Sequence, residues 1–171
     1  SLDLYRISAD GQAQALLADV TGADRARALS SVVRRFFLTS VGDDAAFELA
    51  CIQLDEHDFV GASRLLSKIL RDYPDPSVPR ADVLLRLAVA HARLGEAKGA
   101  RLALAQLQND PSTSRLSASV VRAVTAHAQE HAGYRAAVVE TSGRWHAAFD
   151  SPARTGHMPS LPVEATRATL S

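Results

Sequence analysis

A chain of 171 residues is long enough for one compact domain or for an array of about four helical hairpins with a tail. Its 19 basic and 19 acidic side chains cancel, which removes any global field for nucleic acid or an anionic membrane. Aromatics make up only 5%, so the apolar content is mostly Ala, Leu and Val, a mixture that favours close-packed helices over a sheet.

A single cysteine, Cys51, excludes an internal disulfide and a thiolate zinc site, and its neighbours Ala50 and Ile52 predict a buried, inert thiol. No apolar run approaches the roughly 20 residues of a membrane span, and no basic-then-apolar signal segment opens the chain. The start at Ser1 fits a processed protein or an excised part of a longer one.

The first six apolar-rich residues, Leu2 to Ile7, fit either a short helix or an extended lead-in. Ala9, Ala13, Leu16, Leu17 and Val20 then fall at helical spacing, and Gly22 marks a turn. A helix is predicted over Ala23–Leu38, with Leu29, Val32, Val33, Phe36 and Phe37 on one stripe. Arg25, Arg27, Arg34 and Arg35 lie off it as a solvated face, the rival reading being an anion or nucleic-acid site. Thr39–Asp44 reads as a loop ending in a helix cap, followed by helices over Ala45–Leu54 and Phe59–Arg71. The prolines of Tyr73–Pro79 end that hairpin.

A second hairpin is predicted from Ala81–Leu94 and Glu96–Gln108, with Gly95 as a left-handed stop between them. After a Pro-bearing turn, helices are expected over Arg115–Ala132 and Tyr134–Thr141, broken by Gly133. Beyond Gly143 the periodicity is lost, and residues 143–171 read as a Pro/Gly-containing, irregular tail.

A shift of 38 residues places His57 on Gly95 and Gly95 on Gly133, so three helix breaks recur at one period. It also places Leu49-Ala50 on Leu87-Ala88, Ala62 on Ala100, Leu66 on Leu104 and Ile69 on Leu107. Such a period means stacked helix pairs, each needing neighbours to bury its apolar face. Ala50, Ala62, Ala88, Gly95 and Ala100 are the expected close-packing positions.

On Leu49-Ala50, Asp58-Phe59, Ala62, Leu66, Ile69 and Tyr73-Pro74, and again on Leu87-Ala88, Leu94-Gly95, Ala100, Leu104, Leu107 and Pro111, the chain resembles tetratricopeptide repeats. The resemblance implies an all-α, right-handed superhelix of about three to four antiparallel helix pairs. The helical repeat domain would span 1–142, with its clearest repeats at 43–74 and 81–112 and degenerate pairs at 9–38 and 115–142. The long Tyr73–Pro79 linker is similar to those of bacterial cell-envelope members of the family, which points to the bacterial periplasm or envelope. Trp145-x3-Phe149 with Arg154-x-Gly156 resembles the lead-in to a quinoprotein-like β-propeller, the alternative being an ordinary Pro-rich tail.

One stretch carries the spacing of a metal site. His127, Glu130 and His131 form H-x-x-E-H, two histidines on one helix face with a glutamate as general base, as in an inverted zinc peptidase. No third ligand stands at motif spacing, so an exposed polar helix end is the preferred reading and a zinc hydrolase the alternative. His57 and His91 stand apart, and no phosphate loop or nucleophile constellation is present. No cofactor and no catalytic role is expected.

The resemblance instead places Phe47, Cys51 and Leu54, then Leu85, Val89 and Ala92, on the inner face of successive first helices. A stripe this apolar is expected either to pack as core or to bind a protein or peptide segment, such as the chain's own tail or a following propeller. The expected function is a non-catalytic interaction or assembly scaffold.

Overall fold

The computed structural model describes residues 1–130. Six helices run in antiparallel pairs: α1 (Leu2–Leu17) with α2 (Ala23–Arg35), α3 (Gly42–Asp55) with α4 (Phe59–Asp72), and α5 (Arg80–Arg93) with α6 (Ala97–Asn109). A 3-10 turn (Pro111–Arg115) leads to a further helical segment over residues 118–130, α7. Consecutive helices pack in chain order and α3 also touches α5, so the fold is all-α and built from stacked helix hairpins. The expected break at Gly133, the helix over Tyr134–Thr141 and the tail of residues 143–171 lie outside the described residues.

The core follows the repeat. Leu29, Leu66, Leu84 and Leu107 are fully buried, with Val32 and Ile69 beside them. Ala13, Ala50 and Ala88 are each 0% exposed and occupy matching places in the first helix of each pair. Ala62 and Ala100 do so in the second helices, where a larger side chain would hold the partners apart. Ala13 thus has in α1 the buried place that Ala50 and Ala88 have in α3 and α5.

Both central hairpins turn by the same set of bonds. The Asp58 N–H reaches the Gln53 carbonyl (2.7 Å) and the His57 N–H the Leu54 carbonyl (3.1 Å). Thirty-eight residues on, the Glu96 N–H reaches His91 (2.8 Å) and the Gly95 N–H reaches Ala92 (2.9 Å). These are the paired bonds of a Schellman motif, which needs a left-handed residue just past the helix. His57 (φ 66°) and Gly95 (φ 69°) supply it. Asp58 then starts α4 by accepting from the Gly61 N–H at 2.9 Å, an N-cap that α6 lacks.

Several boundaries differ from the sequence reading. The helix α1 takes in Leu2–Ile7 and ends at Leu17, where Ala18 turns to extended backbone (ψ 134°) and Asp19 follows at φ 55°. The next helix, α2, stops at Arg35, which lets Phe36 and Phe37 turn into the core at 8% exposure each. The cap expected at Asp44 is absent: α3 begins at Gly42, with Val41 at the cap position. Asp43 and Asp44 instead place negative charge in its first turn, where the helix dipole favours it.

The linkers are tied back to the helix starts of the preceding pair. Buried Asp43 accepts from the Ser77 N–H (2.5 Å), the Ser77 hydroxyl (2.8 Å) and the Val78 N–H (3.3 Å), all through Oδ2. The Tyr73 hydroxyl donates to the Thr39 carbonyl at 2.5 Å. In the second linker the Ser112 hydroxyl accepts from the Ala81 N–H at 3.0 Å, serving one of the orphan donors at the start of α5. Arg80 pairs with Asp110 at 3.4 Å. A Pro-rich segment with few backbone partners of its own is thereby given a fixed path.

Candidate functional site

Phe47, Cys51 and Leu54 stand one helical turn apart on α3, and Leu85, Val89 and Ala92 do so on α5. The structure divides these six residues by burial. Leu85 (7% exposed) and Ala92 (2%) are part of the core, whereas Phe47, Cys51, Leu54 and Val89 are half-buried. Cys51 is thus not the fully buried thiol that its neighbours suggested. Two of the six are thus core residues and four keep partial exposure.

Arg86 limits that surface. Its guanidinium lies 4.7 Å from the centre of the Phe47 ring, a cation–π contact across the α3–α5 contact. Asp82, one turn earlier, holds it through a 3.3 Å ion pair. Neither residue was assigned a role from sequence; an arginine one turn past an aspartate reads only as an ordinary i,i+4 helix pair. Phe47 thus meets a guanidinium that is itself paired with a carboxylate.

Among the α2 arginines, Arg25 departs from both sequence readings. It stands in α2 where α4 and α6 have Ala62 and Ala100, and it is half-buried. Its Nε and Nη2 donate to the two carboxylate oxygens of Glu48 (2.8 and 2.7 Å), and its Nη1 to the Leu17 carbonyl (3.0 Å). The paired guanidinium holds the Glu48 carboxyl below the usual carboxylate range. Arg25 therefore clamps the end of α1 to α3. Arg27, Arg34 and Arg35 are exposed, which both sequence readings allow.

A second clamp was not foreseen. Arg6 on α1 makes a bidentate pair with Asp75 (2.6 and 2.7 Å) and donates to the Leu38 carbonyl (3.1 Å) and the Tyr73 hydroxyl (3.3 Å). The guanidinium keeps Asp75 acidic, chiefly by that hydrogen bond. Arg6 and Asp75 are far apart in the chain, and no local pattern joins them.

The zinc reading gains no assembled ligand set. His127 (half-buried) and Glu130 (exposed) stand on α7, and His131 lies outside the described residues. Among the described residues no three His, Cys, Asp or Glu side chains are grouped for a metal. His91 is placed by Glu96, Nδ1 to Oε2 at 2.6 Å, and its ring lies close against Gly99. His57 Nδ1 lies 2.9 Å from the Asp55 carbonyl within its own turn. Both histidines are accounted for by local structure. Among the described residues no helix is long and apolar enough to cross a membrane.

Residues 53–137 match the tetratricopeptide repeat family, a stretch that begins at the end of α3 and takes in α4 to α7. No curated protein and no solved structure matches the chain.

Proposed function

We propose that this chain, whose residues 53–137 match the tetratricopeptide repeat family, is a non-catalytic protein–protein interaction scaffold binding through the α3–α5 face. The carrying observation is that Phe47, Cys51, Leu54 and Val89 keep partial exposure on α3 and α5 while Leu85 and Ala92 are buried. A partner segment buries that surface against helices already fixed by their neighbours, so little ordering cost falls on the repeat side. Arg86 at the margin selects a segment that offers a carboxylate or carbonyl beside its apolar anchor.

The occupant we favour is the chain's own tail, which carries Trp145, Met158, Leu161 and Val163. The Trp145-x3-Phe149 sequence and the long Tyr73–Pro79 linker support a wider reading, an excised part of a bacterial envelope protein continuing into a β-propeller.

The chain's single cysteine and single tryptophan provide the test. A bimane fluorophore on Cys51 is quenched by Trp145 if the tail lies on this face, and Trp145→Phe then restores its emission. Equal emission from the two proteins sinks the tail as occupant. A melting temperature unchanged by deletion of residues 143–171 does the same.

A further inference from the structure

We propose that the exposed face of the second helices, α2, α4 and α6, is a docking surface for an acidic protein segment with interspersed aliphatic side chains. It is built from different helices than the α3–α5 face and does not depend on it.

The charge of this neutral chain is unevenly placed. The three second helices hold nine basic and two acidic residues, whereas the first helices α1, α3 and α5 hold four basic and seven acidic. The core requires no such bias, because the basic residues concerned are mostly at the surface. Arg27 and Arg34 on α2 recur 37 residues later as Arg64 and Arg71 on α4, the same register that carries Leu29 onto Leu66 and Val32 onto Ile69. Lys98 and Arg101 continue the exposed basic surface on α6, which contains no acidic residue.

Intramolecular pairing leaves much of this charge available. Arg34, Arg64 and Lys98 make no ion pair among the described residues. Arg27 meets only Asp24 at 3.2 Å, with both side chains more than 70% exposed. Arg71 shares Asp72 with Lys68. Along α4, Ser63, Arg64, Ser67, Lys68, Arg71 and Asp72 line a shallow groove. An acidic segment crossing α2, α4 and α6 would meet a guanidinium on each.

Two observations favour a protein segment over a polynucleotide. Val60 (44% exposed) and Leu102 (62%) stand among the cations, giving aliphatic contacts that a phosphate backbone cannot use. The aromatic rings beside the basic residues are already taken: Phe36 lies under Arg35 at 5.1 Å and Phe37 under Lys68 at 4.0 Å, each ring 8% exposed. A single strand would find no stacking platform in them.

The test is fluorescence anisotropy with the full chain and a labelled synthetic peptide of glutamates interspersed with leucines. Saturable binding that weakens as salt is added is expected. Replacing Arg27, Arg64 and Arg101 together by Glu should weaken it by about tenfold or more, while Arg122→Glu, an exposed position on α7, should leave it within about twofold. The corresponding triple Gln variant, checked for unchanged helicity, removes charge without reversing it and should weaken binding by about threefold. Absence of saturable binding overturns the proposal, as does full affinity in a folded triple Gln variant. A single-stranded oligonucleotide or a phosphatidylglycerol vesicle of matched charge binding more tightly than the peptide also overturns it.

Discussion

The hydroxyl of Tyr73 donates to the carbonyl of Thr39 at 2.5 Å, joining the end of α4 to the turn before α3. The ring packs edge-on against Phe37, with centroids 5.5 Å apart, so the residue serves both core and linker. Tyr73→Phe retains the ring and removes the donor. It should cost about 1–2 kcal/mol, the usual penalty for a lost buried hydrogen bond. A lower urea midpoint at unchanged slope would show it, and an unchanged midpoint would mean that the Gly42 N–H, 3.0 Å from the same carbonyl, satisfies it alone.

The same phenol gives a dependence on alkaline pH. Burial first, and then the negative charge of Asp43, push its pKa up to about 12. The unfolded value is about 10, so the folded state holds this proton more tightly. The resulting stability is fully present below pH ~10 and is lost as the pH rises through about 12. Urea titrations across that window should show a decline that Tyr73→Phe reduces; equal declines in both proteins would assign it to other groups.

Arg6 and Asp75 govern the attachment of α1. The folded Asp75 carboxyl titrates below its unfolded value, so its contribution is present above the unfolded value of about 3.9 and disappears as the pH falls through the lower folded one. Asp75→Asn should raise amide exchange in α1 at neutral pH while leaving α4 to α6 protected. Unchanged exchange in α1 would show that the Arg6 bonds to Leu38 and Tyr73 suffice.

The hairpins were legible in the sequence because their signals are local. Small residues recur at one period, and Gly95 requires the left-handed turn that it occupies. His57 was found only as the shifted equivalent of Gly95, since histidine carries no such signal by itself. What could not be read was side-chain reach across many residues: Asp43 to Ser77, Arg6 to Asp75 and Arg25 to Glu48. Asp43 and Asp44 looked like a cap because aspartate before an apolar run usually is one. Here the linker claims Asp43 instead. Arg25 looked solvated because nothing local marks its position as the one filled by Ala62 and Ala100 in later pairs. For the candidate face, burial was what the sequence could not show, because it depends on how α3 meets α5.

The two equivalent turns predict opposite responses. His57→Gly removes the steric cost of φ 66° and should stabilise by about 0.5–1 kcal/mol, net of greater chain freedom when unfolded. Gly95→Ala imposes that cost at φ 69° and should destabilise by about 1 kcal/mol. Thermal melts of the two variants decide this. Shifts of the same sign would mean that the two turns do not share one energetic role.

Packing at the small positions should be equally specific. Ala62 and Ala100 are 0% and 1% exposed, so Leu at either forces its hairpin apart, at about 1–3 kcal/mol. Leu at exposed Ala105 on α6 adds the same volume outside the core and should change little. Equal losses at Ala100 and Ala105 would remove close packing as the cause.

Gly42 should be the least replaceable of these positions. A Cβ there would collide with the Phe37 carbonyl oxygen and stand 3.1 Å from that of Phe36. Both neighbours are backbone, so relief cannot come from a rotamer change; the turn carrying Phe36, Phe37 and Thr39 would have to move. Those residues are buried, and Thr39 holds both the Gly42 N–H and the Tyr73 hydroxyl. Gly42→Ala should therefore cost about 3 kcal/mol or more, well above the usual effect of placing Ala in a helix, which is favourable. In a double-mutant cycle with Tyr73→Phe the two losses should be less than additive, because displacing Thr39 already weakens the Tyr73 bond. Full additivity would show that α3 can shift without disturbing the linker.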